Sequence, residues 1–141
     1  MRKILVALCL LVGTAFTSNA QSTIDETVKE WERAKAYTKE YLEAMPADKY
    51  SLKPTPEMRS FAQQMLHFTD ANYGFISAAT GVTSPVGQGE SEKTTDISKE
   101  NVTKLVLAGY DFAINSIKTL TPAQLTENVK LFGRFDMTKG M

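Results

Sequence analysis

Histidine occurs once in this 141-residue sequence, at His67. Imidazole is the side chain best suited to hold a transition metal or to move a proton near neutral pH, so His67 is the first candidate for chemistry. Asp70 follows three residues later, a spacing that puts two side chains on one helix face. Its carboxylate reads as a solvated acid or as a group that orients a neighbouring ligand, ahead of direct metal ligation. Asn72 and Tyr73 stand close enough to line a cleft, although an amide or aromatic at helical spacing more often packs or caps. Gln63 and Gln64 read as surface and rim, Trp31 as a core anchor, and Met58 with Met65 as packing. No serine is backed by a histidine and an acid, so a hydrolytic triad has no support. Gly87-Gln88-Gly89 lacks the preceding strand and the lysine-serine ending of a phosphate loop.

The first twenty residues read as an address. Arg2 and Lys3 give a short positive region, Ile4 to Ala15 an apolar stretch, and Ser18-Asn19-Ala20 a small-residue exit ahead of Gln21. That is the layout of a secretory signal peptide over 1–20, with an apolar stretch too short to span a bilayer comfortably. The expected product is exported, periplasmic or extracellular, with no stable membrane span after cleavage. A lipid anchor on Cys9 is disfavoured, because bulky Leu8 precedes it. Cleavage removes the only cysteine, and with it any disulfide, thiolate ligand or cysteine nucleophile. It also leaves 14 basic residues against 16 acidic ones, a net charge of about −2. No basic stripe remains, which argues against nucleic acid as a partner.

Residues 21–141 are long enough for one domain with a modest core. Ser22 or Thr23 is a candidate cap for a first helix, whose apolar positions Ile24, Val28, Trp31, Ala34, Thr38, Tyr41, Leu42 and Met45 recur at gaps of three and four. Pro46 stops it, and a proline-rich linker runs to Pro56, with Tyr50 and Leu52 placed to tuck against the bundle. Thr55 and Pro56 signal a second helix to about Ala79. Its apolar stripe reads Met58, Phe61, Met65, Phe68, Asn72, Phe75 and Ala79. Beside it runs a row of small and polar residues, Ser60, Gln64, His67, Ala71, Gly74 and Ala78, which leaves room for a close neighbour or a ligand and turns His67 inward or into a cleft. Gly81 ends the helix. Residues 82–95 form a loop long enough to be mobile or functional. Asp96 or Ser98 caps a third helix with Val102, Leu105, Val106, Gly109, Phe112, Ala113, Ser116 and Ile117 on its inner face. Thr121-Pro122 opens a short capped turn, residues 129–137 are extended, and Thr138 reads as the cap of another helix. Three long amphipathic helices and no convincing sheet predict an all-α, up-and-down bundle, best closed by a fourth helix.

The linker Met45-Pro46 to Lys49-Tyr50, then Pro54-Thr55-Pro56-Glu57 and Arg59-Ser60-Phe61, with His67 and Ala71-Asn72-Tyr73 behind it, resembles the DinB-like (damage-inducible, YfiT-related) metalloprotein family. The resemblance covers roughly Ile24 to Met141. It implies a four-helix bundle holding nickel or zinc through three histidines, with His67 matching the first and the other two four residues apart on a last helix starting near Thr138. The sequence departs from that pattern by carrying neither of the two. It reads either as a C-terminally incomplete bundle or as one without a working site, and the cap-like Thr138 favours the former.

The functional expectation is therefore an exported DinB-family protein that binds a divalent metal at His67 and has metal-dependent transferase or hydrolase activity on a small molecule. The alternative is a non-catalytic helical binding or stress-related module. A homodimer that covers the apolar stripes left open by three helices is a further expectation.

Overall fold

The computed structural model describes residues 2–131 and 133–140, with side chains from Thr23 onward. Among them are three long helices, α1 (Arg2–Ala44), α2 (Phe61–Thr80) and α3 (Lys99–Ile117), joined by short 3-10 turns at Ala47–Lys49, Ser91–Lys93 and Pro122–Thr126. A two-stranded antiparallel hairpin, β1 (Asn128–Leu131) and β2 (Phe135–Thr138), completes the described chain. The architecture is the expected helical bundle with a small hairpin added. Among the described residues no helix is long and apolar enough to cross a membrane.

Helix α1 continues upstream of the expected cap. Thr23 lies within it, its carbonyl accepting from Thr27 Oγ1 at 2.9 Å, while the Ser22 side chain and those of the address segment fall outside the described residues. The far end stops at Pro46 as expected, and the reason is visible in the hydrogen bonds. Pro46 has no N–H to offer Leu42 O. The Tyr50 hydroxyl supplies the donor instead, at 2.8 Å, and Tyr50 is buried. Lys99 Nζ closes the carbonyls of Glu43 and Met45 at 2.7 and 2.8 Å, a cation placed where the helix dipole favours one. Leu52, expected to tuck in beside Tyr50, is exposed.

Helix α2 begins at Phe61, five residues later than Thr55-Pro56 suggested. Ser60 and Gln63 form a reciprocal capping box, with Gln63 N donating to Ser60 Oγ and Ser60 N donating to Gln63 Oε1. The next free donors, Phe61 N and Ala62 N, go to the linker carbonyls of Leu52 and Tyr50. That pairing holds residues 50–60 in an irregular path and fixes the start. Ser98 caps α3 by accepting from Asn101 N, and Asp96 steadies the approach by accepting from Ser98 N.

The extended segment pairs with itself. Val129 faces Met137, Leu131 faces Phe135, and Gly133 takes a left-handed φ of 68° in the turn. Phe132 lies outside the described residues. Thr138 pairs with Asn128 at the end of β2 and is not a helix cap. Alternating apolar residues on either side of a glycine are a hairpin signal, and here it outranks the threonine.

Helix α3 is the centre of the bundle, packing on both α1 and α2. One part of the core joins Leu42, Tyr50, Leu66, Val102, Val106 and Tyr110; the other joins Ile24, Val28, Ile76, Ala113, Ile114 and Ile117. Trp31 bridges the two parts and meets Tyr110 edge-on at 5.8 Å. The buried face of α2 is Ala62, Leu66, Thr69, Tyr73, Ile76 and Thr80, one position round from the predicted stripe; of that stripe Asn72 is buried as well, while Phe68 and Phe75 are exposed. Gly109 explains the choice. A Cβ there would stand 2.9 Å from Thr69 Cγ2, so the bare glycine lets α2 approach α3 along the Thr69 face.

Candidate functional site

His67 and Asp70 sit one turn apart on the side of α2 turned to the 82–95 loop. Asp70 is not loose in solvent. Its Oδ1 accepts from Ser91 N and its Oδ2 from Glu92 N, both at 3.0 Å, so one carboxylate caps the Ser91–Lys93 turn from a neighbouring helix. Ser91 is buried beneath it. Asp70 thus holds the loop backbone.

Glu92, which the turn delivers, completes the arrangement. Its carboxylate pairs with His67 Nδ1 on one side and lies 3.6 Å from Arg59 Nε on the other. Arg59 comes from the linker just ahead of the α2 cap. Three stretches of chain thus meet at one acid: linker, helix and loop. Glu92 did not stand out in the sequence and Arg59 did so only within the family-like linker, because the two lie 33 residues apart in the chain and no local spacing marks them as partners. His67 is half-exposed at the edge of a cleft of about 380 Å³ that also takes in Ala71, Gly74, Phe75 and Gln88. The small-residue row therefore borders open space, and a Cβ on Gly74 would meet nothing within 4 Å. Of the other residues singled out, Gln63 caps α2, Met58 is exposed, Met65 packs against the core, and Asn72 lines a groove between α1 and α2. Tyr73 is buried, and burial first, then the nearby charges of Asp70 and Asp111, pushes its phenol above the usual range.

A metal can be tested against these donors. A histidine that binds metal through one nitrogen characteristically turns the other to a carboxylate, and His67 Nδ1 is turned to Glu92 in that way. As a single ligand His67 fits. Asp70 is already engaged by the loop, each of its oxygens accepting from one backbone N–H group. Among the described residues no three histidine, cysteine, aspartate or glutamate side chains gather to hold an ion, so these residues do not by themselves make a closed site.

Helix order, the proline-rich linker and a lone histidine nearly two turns into α2 define an α-helical bundle protein with a candidate ligand position at a cleft. The chain belongs to the DinB superfamily, whose sequence profile matches residues 30–140. No curated protein and no solved structure matches it.

Proposed function

We propose that this is an exported DinB-family protein, periplasmic or extracellular, in which His67 serves as one ligand of a divalent metal, nickel or zinc, in a metal-dependent transferase or hydrolase. The observation that supports this reading is the pairing of His67 Nδ1 with Glu92 at the mouth of a cleft, which leaves Nε2 as the nitrogen for a metal. Such a metal supplies charge that lowers the pKa of a bound water or thiol. The chain's own part is to fix the imidazole. Glu92 sets its orientation, Arg59 balances the carboxylate, and Asp70 holds the turn that carries Glu92. Export rests on the layout of residues 1–20.

Zinc and nickel titration by calorimetry tests the metal. Binding near one ion per chain is expected, lost in His67→Ala and weakened about 10- to 100-fold in Glu92→Gln. Protein that takes up neither ion would favour the second reading, a non-catalytic helical binding module. What supports that alternative is the lack of any three-donor cluster among the described residues.

A further inference from the structure

Three buried residues of α2 carry an amide or an aliphatic hydroxyl, and one of them is unlike the others. Thr69 and Thr80 each close onto the carbonyl four residues back, Met65 O at 2.8 Å and Ile76 O at 2.7 Å. Asn72 is only 7% exposed, and its amide makes no hydrogen bond among the described residues. A buried amide left unmatched is costly, and few are found in folded proteins. Nor is it sealed away. Among the described residues only Ser77 Oγ is both unmatched and shut off from solvent, so the nitrogen and the oxygen of the Asn72 amide each reach open space. The open space that Asn72 borders is a groove of about 440 Å³ between α1 and α2.

Aromatic rings from all three helices line the same groove: Trp31 of α1, Phe68 of α2 and Tyr110 of α3. The Tyr110 ring centre lies 5.8 Å from that of Trp31 and 5.9 Å from that of Phe68. Its hydroxyl is tied to Thr38 Oγ1 at 2.7 Å, which anchors it between α1 and α3. Phe68 stands one turn before Asn72, so ring and amide share one face of α2. The volume is that of a small-molecule site, and flat apolar walls around a few polar atoms are its usual make-up. None of the lining residues belongs to the His67 cleft. The rim is a different surface from the floor: Tyr37 is 53% exposed, whereas Asn72 and Tyr110 are buried.

Charge and geometry narrow what the floor accepts. Glu30 and Arg33, the charged residues of the lining, are bonded to each other, so neither is left to draw in an ion. An amide offers a donor and an acceptor side by side. Its best match is a planar edge with the complementary pair, such as the amino group and ring nitrogen of adenine, and aromatic side chains stack on flat rings of that kind. A free base carries no phosphate, so the lack of a basic stripe does not count against it. We propose that the floor of the α1–α2 groove binds a small, neutral, planar heteroaromatic molecule of the adenine type, with Asn72 reading its edge and Trp31, Phe68 and Tyr110 packing on its ring. No metal is needed, so this site stands or falls apart from the reading of His67.

Trp31 is the only tryptophan in the sequence, so its fluorescence reports on the groove. Adenine and purine share a ring system and differ in the amino group. Adenine is expected to quench Trp31 saturably, with purine binding about tenfold more weakly, the effect of one net hydrogen bond. Asn72→Leu keeps the size of the side chain and removes the amide. It is expected to bring adenine down to the level of purine while melting no lower than the parent protein, since it deletes an unmatched group. The proposal is overturned if quenching of the parent rises linearly without saturation, or if the parent does not distinguish adenine from purine. A preference for adenine that survives Asn72→Leu also overturns it. So does an Asn72→Leu protein less stable than its parent, by showing that the amide has a structural partner.

Discussion

Asp96 shows what one exposed carboxylate does at the head of a helix. Hydrogen bonds from Ser98, side chain first and then backbone, hold it below its ordinary value of 3.8. A carboxyl depressed on folding gives up its proton more readily in the native state. Its contribution to stability is therefore present above pH 3.8 and is lost as the pH falls through the lower native value. Asp96→Ala is expected to melt below the parent near neutral pH, and the gap is expected to narrow as the pH is taken below 3.8. Thermal melts on either side of that pH check this, and a gap that persists in acid would mean that Asp96 acts through packing instead. At the same scale His67 was legible in the sequence because it is the only imidazole. Its partner Glu92, and the Arg59 that pairs with Glu92, were not, since a carboxylate in a polar loop looks like any other until the fold brings it to a helix.

Among the elements, α3 and the far end of α1 were legible, α1 starts upstream of the expected cap and exposes Tyr41 of its predicted stripe, and α2 was half legible. For α3 the inner positions Val102, Val106, Gly109, Ala113, Ser116 and Ile117 are buried as spaced, because one stripe clearly dominates. Helix α2 carries two adjacent apolar rows, and periodicity cannot choose between them. The larger side chains, Phe68 and Phe75, pointed to one row, while close approach at Gly109 selects the other, with Thr69 in contact. The choice can be measured. Leu66→Ala, at a site 1% exposed, is expected to cost about 2–5 kcal/mol. Phe68 is 39% exposed, so Phe68→Ala should cost well under the ~3–5 kcal/mol typical of a buried phenylalanine. Chemical denaturation of the two variants decides it, and a larger loss for Phe68→Ala would restore the predicted face. The hairpin was missed for a related reason: four-residue strands carry too few alternations to outweigh a threonine that resembles a cap.

At the scale of the whole molecule, α3 touches both other long helices, and a groove of about 440 Å³ remains between α1 and α2. Trp31, Ala34, Tyr37, Phe68, Asn72 and Tyr110 line it, and Tyr37 and Tyr41 continue as an exposed aromatic row along α1. This is the open stripe that the three long helices leave among the described residues. Its rim carries Glu30 and Arg33 side by side, already paired with each other, with the Arg33 guanidinium 5.9 Å from the centre of the Tyr37 ring. Adjacent charges of opposite sign suit a two-fold partner, because each meets its opposite on the other copy and no like charges need face one another. We propose that a second copy of the chain packs across this groove. Light scattering across a dilution series is expected to give twice the chain mass at high concentration. Tyr37→Lys combined with Tyr41→Lys should return the mass to that of one chain while leaving the helical circular dichroism unchanged, since both side chains are more than half exposed. A parent protein that stays monomeric throughout the series, or a double variant that still dimerises, removes this groove as the interface.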